Sequence, residues 1–185
     1  MELNFSKKQI IEAVNNAKEG IKKYQEIMNL YQDKDVSKDK GFQKQFNHFY
    51  KMRQRSQEYY EEFYNYLEKN KNNKVEFEDA LNYFYKKFNR LEASFSSKLI
   101  ATIDPNYAIW DKYVLQNLNL EIPGYNSENR KEKIIKTYNE IRKKVDEIIK
   151  SEEGKESLKI FDEFVPNNKI TKTKKIDFIL WQLNR

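Results

Sequence analysis

One acidic residue, Asp111, stands where the sequence could place a chemically active carboxylate. It follows the apolar pair Ile109-Trp110 and opens the segment DKYVLQNLNL, which we interpret as a helix. An acid at a helix start can cap the free amide groups there, so a structural role is one interpretation. An acid that directly follows two large apolar residues is also half buried, and an ionised acid in such a place can stabilise a developing positive charge. Both roles stay open from the residues alone.

A second group of candidates combines basic and aromatic side chains. The segment KMRQRS places Lys51, Arg53 and Arg55 within a region rich in Phe and Tyr that runs from Phe42 to about Asn70. Basic residues beside aromatic rings can hold a phosphate backbone and stack bases. The alternative is an aromatic stripe that faces the core, with solvated Lys and Arg between its members. The net charge of +6, from 35 Lys and Arg against 29 Asp and Glu, is compatible with nucleic acid without requiring it.

Several classes of chemistry are excluded by residue type. The chain has no cysteine, which removes disulfides, thiol nucleophiles and cysteine-bound zinc. Its single histidine, His48, cannot build a histidine cluster, and we interpret it as an ordinary surface or half-buried side chain. The adjacent acids Glu61-Glu62 and Asp162-Glu163 do not share a helical face, and there is no Asp/Glu-x-x-His motif for a metal. We therefore expect neither a metal nor another cofactor.

The elements that must position these residues are predicted to be helices throughout. The chain of 185 residues has only four Gly and three Pro, and its 13 Tyr and 12 Phe supply core material. Ser6 with Gln9 has the form of a capping box that opens a long helix, and Ser56 is able to restart a helix at the end of KMRQRS. Ser127 is predicted to cap a later helix that ends or is interrupted at Gly154. We expect an all-α, compact multi-helix fold in a single domain, with long helices in residues 1–70 packing on a helical core in 76–185.

The predicted fold is organised around the stretch Leu91–Leu120. Four apolar residues spaced four apart form one stripe of a helix there, and they are Leu91, Phe95, Leu99 and Ile103. The sequence Asp104-Pro105-Asn106 then stops this helix, because proline disfavours the helical region for the residue before it. On the upstream side, either a tight turn falls near Arg90–Ser94 or the preceding helix runs on.

The same sequence carries no signal for a membrane or for export. No uninterrupted apolar run approaches the ~20 residues that cross a bilayer. The start MELNFSKK lacks the apolar core of a signal peptide. We therefore expect a cytoplasmic protein that does not enter a membrane.

The segment SSKLIATIDPNYAIWDKYVLQNLNL resembles part of the helix-hairpin-helix DNA glycosylases, the endonuclease III-like superfamily. In that superfamily a buried helix follows the hairpin and leads through a proline-containing turn to an apolar pair, an acid and a further helix. The segment looks more closely like that of small bacterial proteins distantly related to the superfamily, with a KLL…NP…PIWDS.V pattern and a C-terminal Asp-apolar-apolar-Leu-Trp helix. The residues that carry the resemblance are Lys98-Leu99-Ile100, Asp104-Pro105, Ile109-Trp110-Asp111, Val114 and Asp177-Phe178-Ile179-Leu180-Trp181.

This resemblance implies an all-helical, DNA-glycosylase-like fold and places Asp111 at the position of the superfamily's catalytic acid. That acid stabilises the oxocarbenium-like charge that develops as a base leaves, or it orients an attacking water. On this hypothesis a groove meets the DNA backbone, and a flipped base lies beside Asp111. The residues expected to contact phosphates are Lys98, Lys112, Arg53 and Arg55, and those expected to face the base are Tyr107 and Trp110.

The chain departs from the superfamily at the hairpin. The glycine-rich turn that donates backbone amides to a DNA phosphate corresponds to residues 91–95, which contain no glycine, and Glu92 would repel a phosphate. The lysine that attacks the sugar in bifunctional members would fall near Ala93 or Ser94, and the nearest lysine, Lys98, stands about one helical turn further on. The absence of cysteine excludes the iron–sulfur cluster that some members carry.

Two functions from different classes remain open. The first is a DNA-binding protein of glycosylase-like fold, related to base-excision repair, with its catalysis weak or lost. The second is a non-catalytic helical protein whose aromatic surface binds another protein or a small ligand. In the second case Asp111 is only a helix cap.

Overall fold

Every regular element between residues 5 and 183, the part of the chain that the computed structural model describes, is an α-helix. The prediction of an all-α chain is therefore confirmed for this range, which contains no strand. None of its helices is both long and apolar enough to cross a membrane. The helices in this range are α1 (Lys7–Asp33), α2 (Lys40–Phe49), α3 (Gln57–Lys69), α4 (Phe77–Phe88), α5 (Ala93–Ile103), α6 (Lys112–Asn117), α7 (Arg130–Lys150), α8 (Glu152–Phe164) and α9 (Lys172–Gln182).

The contacts between residues divide the chain into two compact units. The terminal unit is formed by the described parts of residues 1–18 and 105–185, and the central unit is Glu19–Asp104. Helix α1 contributes residues to both units. The sequence predicted one domain with an internal division near residues 70–76. The single domain stays a prediction, while the observed division falls within α1 and at the turn that follows α5.

Two helix starts that the sequence predicted are present with the expected capping bonds. The amide of Ser6 donates to Oε1 of Gln9 over 2.9 Å, and the amide of Gln9 donates to the hydroxyl of Ser6 over 3.3 Å, which completes the capping box of α1. The hydroxyl of Ser56 accepts the amide of Tyr59 over 3.3 Å and begins α3. The segment KMRQRS is therefore the break between α2 and α3, because its last residue starts a new helix.

The predicted cap at Ser127 is wrong. Helix α7 begins at Arg130, and its capping position is Asn129, whose backbone is left-handed with φ of 51° and whose side chain makes no capping bond. The hydroxyl of Ser127 instead donates to the carbonyl of Gly124 over 2.9 Å, as does its amide over 3.1 Å. The turn that precedes α7 therefore uses the polar groups of Ser127, and Asn129 tolerates the left-handed conformation that redirects the chain.

The core of the central unit is largely aromatic. Rings from different helices lie within contact distance of one another: the centroids of Phe46 and Phe63 are 5.8 Å apart, those of Phe63 and Phe84 are 6.0 Å apart, and those of Tyr59 and Phe95 are 5.7 Å apart. All five side chains are buried. The aromatic residues named here therefore form a core-facing stripe, which was the alternative to an exposed stacking surface.

Helix α9 forms the centre of the terminal unit. It packs against α6, α7 and α8. Every side chain from Thr173 to Leu180 is buried, which includes two lysines and one aspartate. The apolar residues of this helix suit a position in a core, but its charged residues require partners inside that core.

Helices α7 and α8 are joined so tightly that only glycine fits at one position. Ser151 ends α7 and also caps α8, where its hydroxyl accepts the amide of Gly154 over 3.0 Å. A Cβ atom on Gly154 would lie 1.7 Å from the carbonyl oxygen of Ile148. The break therefore falls at Ser151, three residues before the position that the sequence predicted, and Gly154 permits the close approach of the two backbones.

We expect Gly154→Ala to destabilise the protein. Alanine favours a helix by about 1 kcal/mol over glycine, but the collision with the Ile148 carbonyl forces the backbone to move, and such overpacking costs about 1–3 kcal/mol. The matched control is Gly124→Ala, because nothing lies within 4 Å of a Cβ atom at Gly124. Urea denaturation of both variants measures the difference. A Gly154→Ala protein as stable as the control would contradict the close approach.

Candidate functional site

Asp111 lies at the start of α6 and caps it. Its backbone is extended, with φ of −132° and ψ of 152°, and its Oδ1 accepts the amide of Tyr113 over 2.9 Å. The capping role that the sequence predicted is therefore confirmed. The residue is half-buried and not enclosed.

The chain that leads into Asp111 is buried although it is not helical. Tyr107, Ala108, Ile109 and Trp110 each expose at most 6% of their surface. Buried backbone groups outside a helix must find partners elsewhere, because an unpaired amide or carbonyl in a protein interior is costly. We call residues 105–111 the acid segment, and its partners come from α7 and α9.

Two side chains bond to backbone carbonyls of the acid segment. The hydroxyl of Tyr138, on α7, donates to the carbonyl of Ala108 over 2.8 Å. The hydroxyl of Thr171, at the start of α9, donates to the carbonyl of Pro105 over 2.6 Å. The acid segment is thus attached to two helices that lie much later in the sequence.

The third attachment is an ion pair that is buried in the terminal unit. Lys174 and Asp177, one turn apart on α9, expose 4% and 7% of their surface, and Nζ of Lys174 lies 2.5 Å from Oδ2 of Asp177. The Asp177 carboxylate also accepts the backbone amide of Ile109. The carboxylate of Asp177 therefore joins α9 to the acid segment two residues before Asp111.

The charge of Asp111 acts on the buried carboxyl of Asp177. Burial raises the pKa of the Asp177 carboxyl, while the Lys174 ammonium and the Ile109 amide oppose that rise. The negative charge of Asp111 raises the same pKa further, so the two carboxylates lie within electrostatic range of each other. The site therefore contains two acids, one buried and paired with a lysine, the other half-buried at a helix start.

Sequence reasoning did not identify Lys174 and Asp177 as site residues. Asp177 belongs to the C-terminal pattern that carries the resemblance, but that pattern alone assigns it no role. The signal that could have identified the pair is a lysine and an aspartate three positions apart within an otherwise apolar helix, where charges are rare unless paired. The neighbouring Lys175 is buried in a similar way and lies 2.6 Å from Asp162.

The two aromatic residues predicted to face a base are largely covered. Tyr107 and Trp110 each expose 6% of their surface. The guanidinium carbon of Arg142, on α7, lies 4.6 Å from the centroid of the Tyr107 ring. These contacts pack the acid segment against the unit, and a role of the two rings in base recognition stays a prediction.

The central unit contains three of the predicted phosphate contacts. Arg53 is exposed. Arg55 pairs with Glu92 through two bonds, of 2.9 Å from Nε to Oε1 and 3.0 Å from Nη2 to Oε2. Lys98 exposes 6% of its surface, and its ammonium donates to the carbonyl of Tyr50, the residue that ends α2, over 2.8 Å. Lys98 therefore satisfies the carbonyl of Tyr50 at the end of a helix, and Arg55 neutralises Glu92.

A tight turn joins α4 and α5, which was one of the two predicted possibilities. Helix α4 ends at Asn89, whose backbone is left-handed with φ of 52°, and α5 starts after Glu92. The two helices pack against each other. The bidentate bond from Arg55 offsets the negative charge of Glu92, the residue that the sequence predicted would repel a phosphate.

The predicted site residues fall into two groups. Asp111, Lys112, Tyr107 and Trp110 lie together in the terminal unit, and Lys112 is exposed next to Asp111. Arg53, Arg55 and Lys98 lie in the central unit. Within residues 5–183, no three acidic or histidine side chains are grouped as metal ligands would be.

The fold and the site define this chain as an all-α protein with a capped, partly exposed acid that is coupled to a buried Lys–Asp pair. Comparison with protein-family models, curated proteins and solved structures finds no match to the chain. Its function is therefore argued from this geometry and from the resemblance of the segment around Asp111.

We expect the capping role of Asp111 to appear in the stability of two variants. Asp111→Asn should cost little, because asparagine caps a helix about as well as aspartate, whereas Asp111→Ala should cost about 1 kcal/mol. Urea denaturation compares them with Gln116→Ala, a change at an exposed position of α6. Equal stability of the Asn and Ala variants would show that the bond to the Tyr113 amide contributes nothing.

Proposed function

We propose that this chain is a DNA-binding protein of DNA-glycosylase-like fold, with Asp111 as its reactive acid. The observation that carries the proposal is the position of the Asp111 carboxylate. Asp111 is half-buried at the start of α6, and the segment before it is attached to α7 and α9. A carboxylate held in place by its surroundings stabilises a developing positive charge without reorganising during the reaction.

The order of elements along the chain supports the same proposal. Helix α4, a tight turn, helix α5, a proline-containing turn, an acid and helix α6 follow one another. This is the order of elements in the superfamily that the segment resembles. The pairing of Glu92 with Arg55 also supports it, because a neutralised turn is less repulsive to a phosphate than the sequence suggested.

The proposed reaction is the hydrolytic release of a base from DNA. The bond between the base and the sugar carbon C1′ breaks, its electron pair leaves with the base, and a proton from solvent completes the free base. The sugar carbon becomes electron-poor, and the Asp111 carboxylate stabilises it and orients the water that adds there. The added water loses one proton to solvent, which balances the proton that the base takes up. DNA would be held through phosphate contacts, for which Lys112 and Arg53 are exposed.

A second function is favoured by a separate observation. Asp111 has a capping partner, and Tyr107 and Trp110 are nearly buried, as a purely structural acid segment requires. Tyr83 and Tyr85 on α4 are the large hydrophobic side chains of the central unit that remain exposed, at 37% and 39%. These features suit a non-catalytic protein whose aromatic surface binds another protein or a small ligand.

Base release by Asp111→Asn distinguishes the two functions. Asparagine keeps the cap, but it carries no charge to stabilise the sugar cation, so we expect base release to fall by about 100-fold or more. The assay offers DNA with deaminated, oxidised or alkylated bases and counts abasic sites, with Gln116→Ala as the control. Wild-type protein that releases none of these bases would support the non-catalytic function.

Salt dependence tests the proposed phosphate contacts. If the exposed Arg53 contacts a phosphate, Arg53→Met should reduce the slope of log affinity against log salt concentration by about 1. The matched variant is Arg55→Met. It should lower stability because Glu92 loses its bidentate partner, and it should change the slope less because the guanidinium already binds Glu92. Binding to DNA that is absent at low salt, or indifferent to salt, would contradict the proposal.

A further inference from the structure

We propose that Arg142 and Lys143 form a phosphate-binding site for DNA on α7, next to the acid segment. The proposal rests on the proposed function, because it names a contact that would hold a DNA strand near Asp111. Neither residue belongs to the phosphate contacts that the sequence predicted. Two features of the structure support the site: a groove on the surface of α7, and the contacts that this helix makes with the acid segment.

An open groove of about 440 Å³ runs along one face of α7. The residues that line it recur at steps of three and four along the helix, so they share that face. They are Asn139, Arg142, Lys143, Asp146, Glu147 and Lys150. Another face of the same helix carries its buried apolar side chains, such as Ile141 and Val145. The groove is therefore a polar surface, and its volume suits a small ligand or one part of a larger one.

The groove shares Arg142 with the packing of the acid segment. The guanidinium carbon of Arg142 lies 4.6 Å from the centroid of the Tyr107 ring, and Tyr107 is buried four residues before Asp111. One turn earlier on α7, the Tyr138 hydroxyl bonds to the carbonyl of Ala108 over 2.8 Å. Two successive turns of α7 thus contact the acid segment. One end of the groove therefore lies beside the segment that leads into Asp111.

The side chains at this end of the groove have the chemistry that binds phosphate. A guanidinium held over an aromatic ring can still present its N–H donors, and two of them can bind two oxygens of one phosphate. Contact with the Tyr107 ring limits the directions in which the guanidinium of Arg142 points. Lys143 is the next residue and is exposed, so it adds a second positive charge at the same place.

The acids of the groove restrict where a phosphate can bind. Asp146 and Glu147 lie one turn beyond Arg142 and Lys143, and both are exposed. Their negative charges repel a phosphate. The site is therefore the end of the groove beside the acid segment and not the whole groove. Since Glu147 opposes binding at that end, Glu147→Gln should strengthen it.

The salt dependence of DNA binding tests the site. Lys143→Met and Arg142→Met should each reduce the slope of log affinity against log salt concentration by about 1, and Glu147→Gln should raise the affinity. The matched control is Lys133→Met, which removes an exposed charge of α7 outside the groove and should change the slope less. A wild-type slope in Lys143→Met would overturn the proposal. That result does not depend on whether Arg142→Met folds without its contact to Tyr107.

A second measurement separates the site from the proposed function. The side-chain Nε–H signal of Arg142 in the full chain is followed by nuclear magnetic resonance as a short DNA duplex or inorganic phosphate is added, with chloride as the control anion. We expect both additions to shift the signal, and the shift to be smaller in Lys143→Met. No shift with either addition would overturn the site.

The remaining outcomes assign the source of the phosphate. A shift with DNA, but no release of any base by the wild-type protein, would reject the proposed reaction while supporting the site. A shift with inorganic phosphate, from a protein that does not bind DNA at low salt, would reject DNA as the partner. The same result would support a phosphate site that serves another phosphorylated ligand.

Discussion

The terminal unit depends on a charge pair placed where charge is expensive. Lys174 and Asp177 lie on a helix whose middle is otherwise apolar and buried, and each is nearly removed from water. The loss of hydration is offset by their mutual attraction and by the Ile109 amide, which the same carboxylate accepts. Removing one partner would leave the other charge buried and unpaired. The packing of α9 and of the acid segment therefore requires both residues of the pair.

The central unit uses an ion pair in a comparable way. Arg55 lies in the break between α2 and α3, and Glu92 lies in the turn between α4 and α5. Neither segment has a helix to satisfy its backbone, and the bidentate pair joins them across 37 positions of sequence. In both units, then, the aromatic and aliphatic core determines how the helices pack, and a specific charge pair fixes the irregular segments between them.

The difference between local helix patterns and long-range contacts explains what the sequence could predict. Spacing within one helix, and caps such as Ser6, Ser56 and Asp111, depend on residues within four positions, so the pattern identifies them directly. Ser127 shows how a correct residue type fails when a neighbouring turn uses its hydroxyl. The bond from Ile109 to Asp177 joins residues far apart in the chain, and no local pattern indicates such a contact. The candidate acid was therefore predictable, but the long-range contacts of the segment before it were not.

Capping and catalysis are compatible roles for Asp111. The bond from the Tyr113 amide uses one carboxylate oxygen, Oδ1, and it fixes the rotation of the side chain. A carboxylate has about four acceptor positions, divided between its two oxygens. The second oxygen therefore keeps its acceptor positions, and the bond from the Tyr113 amide sets the direction of that oxygen. A helix start also favours the negative form of the acid. The features that make Asp111 a good cap are thus features that a charge-stabilising acid needs: a fixed orientation at a position that is only half buried.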